Sequence, residues 1–171
     1  MKRKLFCLVF LGSFIVCMNA QNFKTVKLGS QVWMAENLNV ISPGSWIYNE
    51  NADLGRSYGR LYTWDAAKNA CPSGWHMPTE QEWQKMIEYV GGEGQAGKQL
   101  KPNGNYGFNA LLGGFSDIGS YRLMGYYGAY WTASDFDKEH GWYFFITSKD
   151  NFITKTYFRK SYGFSVRCVK N

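Results

Sequence analysis

The strongest periodic signal in the chain is a helix. Thr79 and Glu82 stand at capping-box spacing, and Trp83, Met86, Ile87 and Val90 follow at i, i+3, i+4 and i+7 before Gly91-Gly92 stops the run. A shorter helix precedes it: Thr63 caps Trp64 to Ala70, Cys71 follows, and Pro72-Ser73-Gly74 ends it. Phe23 to Met34 alternates as a hairpin with Gly29-Ser30 in a two-residue turn. Val40 to Tyr58 loses all period among Pro, Gly, Ser and Asn, and reads as a long irregular loop holding Trp46 and Tyr48. After Gly107 the pattern becomes aromatic-rich strand: Tyr126–Ser134, Trp142–Ser148, Phe152–Phe158 and Phe164–Val169, with Lys149-Asp150-Asn151 turning between the middle two. In the last of these Phe164, Val166 and Cys168 share one face and Arg167 points the other way. With no internal repeat, the order of a hairpin, two helices and then aromatic-rich strands predicts one α+β domain.

The N-terminus has a different pattern. Lys2-Arg3-Lys4 precedes fourteen mostly apolar residues, Leu5 to Met18, and Ala20 closes the stretch. That layout predicts a secretory signal peptide over residues 1–20, with residues 21–171 as the exported domain. Fourteen residues are too few to cross a bilayer core of about 30 Å as a helix, and no transmembrane segment is expected. A lipid anchor at Cys17 is a second processing route, disfavoured because Val16 stands where a small residue is usual. The leader also carries three of the nineteen basic residues, so sixteen face thirteen acids in the remainder, a net charge of +3 rather than +6. Nucleic acid is therefore not an expected partner. Only Cys71 and Cys168 stay outside the leader, and in an oxidising compartment they are expected to form one disulfide. The periplasm, the outer surface and the medium all fit.

Candidate chemistry is sparse. Gly92-Glu93-Gly94-Gln95-Ala96-Gly97-Lys98 matches a dinucleotide fingerprint in letters. It follows a helix rather than a strand, however, and Gln99 replaces the Ser or Thr of a phosphate loop, so a flexible loop is expected. His76 reads as a partly buried structural residue. His140 follows Asp135, Asp137 and Glu139, weak candidates for a metal, but that stretch lacks the spacing and central glycine of a calcium loop and reads as a solvated turn. No nucleophile motif accompanies the two histidines, and no cofactor is implied. Seven tryptophans remain. Trp33, Trp64, Trp75 and Trp83 are expected in the core, whereas Trp46, Tyr126, Tyr127 and Trp142 are the candidates for exposed, ligand-stacking aromatics.

Several segments together carry a resemblance. They are Val26 to Leu38, Gly59-Arg60-Leu61-Tyr62-Thr63-Trp64, Cys71-Pro72-Ser73-Gly74-Trp75-His76-Met77-Pro78-Thr79-Glu80-Gln81-Glu82-Trp83, and Ser161-Tyr162-Gly163-Phe164-Ser165-Val166-Arg167-Cys168. In order and spacing they resemble the Fibrobacter succinogenes major paralogous domain family, which implies a bacterial exported protein with no assigned reaction. More distantly, Trp75 to Trp83 and Gly163 to Arg167 resemble the formylglycine-generating enzymes and their C-type-lectin-like fold, two helices packed on a small antiparallel sheet with long loops. A Cys71–Cys168 bridge would resemble that fold's link from first helix to last strand. The active-site cysteine pair of those enzymes has no counterpart here, and the sugar-binding calcium motifs of the lectins are missing. The resulting expectation is a non-catalytic binding module for glycan or protein at the cell envelope or outside it. A hydrolase or formylglycine-type enzyme and a structural surface protein without a small ligand are the alternatives.

Overall fold

The computed structural model describes residues 6–8, 16–18, 23–117 and 119–171. Most of the expected signal peptide lies outside them; within it the backbones of β1 (Phe6–Leu8) and β2 (Val16–Met18) pair antiparallel. The domain proper begins with β3 (Thr25–Leu28) and β4 (Gln31–Met34), closed by the expected turn, with Leu28 opposite Gln31 and Gly29 at φ +58°. A two-residue turn of this hand needs positive φ, which glycine reaches without strain.

The stretch expected to be a loop holds β5 (Ser45–Trp46), a 3₁₀ turn at Tyr48–Glu50 and α1 (Ala52–Tyr58). The Asn51 side chain caps α1 by accepting from the Asp53 and Leu54 amides, and Gly55 lets the helix close on Ile47. β6 (Leu61–Tyr62) pairs with β5, and Thr63 caps α2 (Trp64–Ala70) as expected. β7 (Trp75–His76) leads into α3 (Glu80–Tyr89), whose reciprocal Thr79–Glu82 capping box is present.

The glycine-bearing segment after α3 is a helix, α4 (Glu93–Leu100), with Gly92 as its N-cap. Ala96, Gly97 and Leu100 face inward, and a Cβ at Gly97 would lie 2.1 Å from the Phe152 carbonyl oxygen. Glycine here is a packing requirement, and the flexible-loop expectation is corrected: among the described residues there are four α-helices, not two.

Short β8 (Phe115–Asp117) and β9 (Ser120–Arg122) form a ribbon ahead of the large sheet. That sheet is antiparallel, in the order β10 (Tyr127–Asp135), β11 (His140–Thr147), β12 (Thr154–Arg159). Residues 163–165 are tied on by single bridges, Tyr62 to Phe164 and Tyr130 to Ser165 among them. β13 (Val169–Lys170) joins a second sheet of order β3-β4-β13-β7. The Cys71–Cys168 disulfide, with Cα atoms 6.0 Å apart, ties the end of α2 to this closing segment.

Two apolar clusters fill the interior. Trp33, Trp83, Phe108, Tyr130 and Phe144 centre one, with the Trp83 and Phe144 rings stacked 5.4 Å apart. Tyr62, Trp64, Trp131, Tyr143 and Phe164 centre the other. Of the four tryptophans expected in the core, Trp33, Trp64 and Trp83 are buried, and Trp75 is half-buried against Phe23. The expected Phe164–Val169 strand is present only as bridges at residues 163–165 and as β13, and Arg167 between them is itself buried.

His76 has a structural place, with Nε2 2.8 Å from Glu82 Oε1 and Nδ1 2.6 Å from Asn171 Oδ1. Burial disfavours its charged form, but the bonds to Asn171 and Glu82 and the Glu82 charge together raise its pKa above 6.5. Burial likewise works against the Glu82 carboxylate, and its bonds to Thr79 and His76 outweigh that and lower its pKa below 4.5. The signs follow from linkage. The Glu82 contribution is present above 4.5 and lost as pH falls through its lowered value; the His76 contribution is present below 6.5 and lost as pH rises through its raised value. Melting temperature is therefore expected to fall as pH rises above about 6.5 through the raised His76 value, and His76→Gln to flatten part of that fall. The pair is half-exposed, so solvent screening keeps the difference under about 1 kcal/mol, and equal slopes in the two proteins would refute the assignment.

Candidate functional site

The chemistry-bearing surface of the domain is the outer part of the β10-β11-β12 sheet. The turn from β10 to β11 is shaped by Asp137, whose carboxylate accepts from the Glu139 and His140 amides at 2.8 and 2.7 Å and sits 2.8 Å from His140 Nδ1. This compact turn swings Phe136 over the sheet. Phe136 stacks on Tyr157 with ring centroids 3.7 Å apart and planes 4° from parallel, and Trp142 meets both rings edge-on at 5.0 and 5.7 Å. Trp142 and Tyr157 are register partners and project from one face. Phe136 is 43% and Tyr157 44% exposed, which is high for rings that could have entered a core. Lys155 lies on the same face, with Nζ 4.7 Å above the Trp142 ring and a salt bridge to Glu80.

The other side of β12 is also aromatic. Phe158, 39% exposed, meets Tyr162 edge-on at 4.6 Å. An open depression of about 680 Å³ runs along the strand, walled by Tyr143, Thr156, Phe158, Arg159 and Tyr162 with His140 at its end. Behind it, the hydroxyl of Tyr143 pairs with that of Tyr127 at 3.1 Å, and burial pushes the pKa of both phenols above the ordinary range. Neither phenol is poised to act as a base near neutral pH.

The candidate aromatics do not converge. Trp142 belongs to this surface. Trp46 is half-buried and packs against Gly163, where a Cβ would lie 3.3 Å from the indole. Tyr127 is half-buried and stacked on Phe145 at 4.9 Å. Tyr126 is exposed just before β10, at the opposite end of that strand from Phe136, with Lys149 5.9 Å from its ring. Phe136, Tyr157 and Phe158 carry the exposed surface and were not among the candidates. The available signal was aromatics at both ends of the same predicted hairpin.

The acidic trio is also committed elsewhere. Lys160 Nζ binds the Asp135 carboxylate and donates to the Asp137 carbonyl at 2.9 Å, while lying 4.3 Å above the Trp64 ring. An internal ammonium thus occupies the oxygens that a cation would need, with Asp137 turned to His140 and only the Glu139 side chain left over. Among the described residues no group of three or more His, Cys, Asp or Glu side chains is placed to hold a metal. Cys71 and Cys168 are both in the disulfide, so neither offers a thiolate. A second cleft of about 420 Å³ is lined by Lys24, Glu36, Asn37, Arg56 and Asn109 among others. Asn37 already bonds Tyr58, Ser165 and Arg167.

No helix among the described residues is long and apolar enough to cross a membrane, and the disulfide is of the kind that oxidising compartments sustain. Comparison with curated proteins and with solved structures finds no match. Residues 26–170 match the Fibrobacter succinogenes major domain, and the chain belongs to that family.

Proposed function

We propose that the domain is a non-catalytic binding module acting outside the cytoplasm, and that it holds a glycan against the aromatic shelf of Phe136, Trp142 and Tyr157. The observation that carries this reading is the exposure of two mutually stacked rings on a rigid sheet. A sugar ring presents apolar C–H faces that pack on aromatic surfaces, while its hydroxyls need only a few polar neighbours, here Lys155, Arg159 and His140. The extracytoplasmic assignment rests on the disulfide and on the leader-like N-terminus. A C-type-lectin-like reading of the fold is supported by the bridge from α2 to the closing segment and by β3 and β13 flanking β4 in one sheet.

Affinity electrophoresis against a panel of neutral and acidic plant and host polysaccharides tests the proposal. The wild-type domain is expected to be retarded by at least one, and Phe136→Ala to weaken that binding roughly tenfold without changing the melting temperature by more than a few degrees. A wild-type domain that migrates freely through every gel would remove the glycan reading.

A further inference from the structure

The outer edge of β12 is open. The Lys160 amide donates to the Glu139 carbonyl at 2.8 Å, one step beyond the His140–Arg159 register pair. Hydrogen-bonded pairs in an antiparallel ladder recur at every second residue, so Thr154, Thr156 and Phe158 turn their backbone groups toward β11. Lys155, Tyr157 and Arg159 turn theirs away from it. The Arg159 carbonyl accepts from the Tyr162 amide, and the amides and carbonyls of Lys155 and Tyr157 have no partner among the described residues.

An edge of six residues with unpaired backbone and exposed aromatics on both faces is a template for another strand. We infer that this edge receives an extended acidic peptide segment, which adds to the sheet as a further strand beside β12. Its chemistry follows from what flanks the edge. Thr154–Arg159 carries Lys155 and Arg159 and no acid; Lys155 already bridges Glu80, whereas Arg159 has no carboxylate within salt-bridge distance among the described residues. Acidic side chains on alternate positions would face these two, and apolar ones between them would enter the depression beside Phe158, Tyr143 and Tyr162. A second copy of this chain suits the edge poorly: the antiparallel register centred on Tyr157 sets Lys155 opposite Arg159 of the copy, like charge against like. The inference goes beyond the glycan reading and shares Tyr157, Lys155 and Arg159 with it, but not Phe136 or Trp142.

The test uses an acetylated peptide of alternating glutamate and valine, about eight residues long, with a fluorescent label. Its anisotropy is expected to rise on titration with the full chain and to fall with added salt. The lysine-for-glutamate peptide and one with a central proline are expected not to bind. Lys155→Pro removes an outward amide without breaking the ladder to β11, so it is expected to bind at least tenfold more weakly than Lys155→Ala. Hydrogen exchange at Lys155 and Tyr157 is expected to slow when peptide is present, a readout that needs no variant. Equal binding by the proline and alanine variants, equal binding of the lysine peptide, or self-association of the wild type through this edge in light scattering would overturn the inference. Phe136→Ala is expected to lose glycan and keep peptide, so failure of one reading is separable from failure of the other.

Discussion

Replacing Arg167 with methionine is expected to destabilise the domain by about 3–5 kcal/mol, a large part of the roughly 5–15 kcal/mol that holds an ordinary domain folded. The side chain is 0% exposed, and among the described residues its guanidinium bonds an amide oxygen and backbone carbonyls rather than a carboxylate. Nε donates to Asn37 Oδ1 at 2.7 Å, Nη1 to the carbonyls of Met34 and Phe108, and Nη2 to the carbonyl of Asn109. The Phe108 ring covers the cation at 4.6 Å. Burial pushes its pKa down to about 10, so it stays charged at neutral pH and is held by oriented dipoles. Two opposing effects decide the outcome. Methionine removes the cost of burying a charge, but it leaves four oxygen acceptors without a donor, each costing about 1–3 kcal/mol where water cannot reach. Asn109 is exposed enough for solvent to replace its bond, whereas Asn37, Met34 and Phe108 are buried. The loss therefore exceeds the relief. Arg167→Lys keeps the charge but has neither the reach nor the forked geometry, and is expected to recover only a minor part. Denaturant midpoints measured for the three proteins check this; a methionine variant within about 1 kcal/mol of wild type would mean that the network only orients the strand.

The role of Arg167 marks how far the fold was legible from residues alone. Alternation over an expected Phe164–Val169 strand set it apart from Cys168, but the strand itself forms only at Val169–Lys170, and alternation cannot say that Arg167 is covered as well. That depends on residues 108–109 and Asn37, distant in the chain. Local signals read well where one segment contains its own cause. The Gly29-Ser30 turn, the Thr79–Glu82 capping box and the α2 cap are all formed within a few residues, and each is present. Short elements stabilised from outside did not read. α1 spans seven residues and closes on Ile47, and α4 has two internal glycines that intrinsic propensity counts against it. α4 is held by its Ala96 and Leu100 face and by backbone contacts with residues 151–153. The candidate site was legible only through Trp142. Phe136 and Tyr157 meet because a compact turn and a strand register bring residues 21 apart into stacking contact, which no window along the chain displays.

Removing the disulfide is the second large expected effect. Cys71 and Cys168 are 97 residues apart, so the bridge closes a loop spanning most of the domain. In the chain-entropy model a loop of that length restricts the unfolded state by about 4–5 kcal/mol, though measured values often fall lower. The native contacts around it should survive its loss. Met34 donates to the Cys168 carbonyl at 3.0 Å, Tyr62 and Phe164 exchange backbone bonds, and Val169 is paired on both sides by β4 and β7. The Cys71→Ala/Cys168→Ala double variant is therefore expected to fold with the same near-ultraviolet circular dichroism. Its melting temperature is expected to drop by roughly 8–20 °C, about 2–4 °C for each kcal/mol in a domain of this size. Its denaturant slope should rise, because an uncrosslinked chain exposes more surface on unfolding. The slope separates the two sources of stabilisation: if the bridge acted through native packing at Cys168, the midpoint would fall with the slope unchanged. Serine at 168 should be worse than alanine by about 1–3 kcal/mol, since it sets a hydroxyl in a site with 0% exposure. A double alanine variant that melts within about 2 °C of wild type would show that the reduced chain already holds these termini together when unfolded.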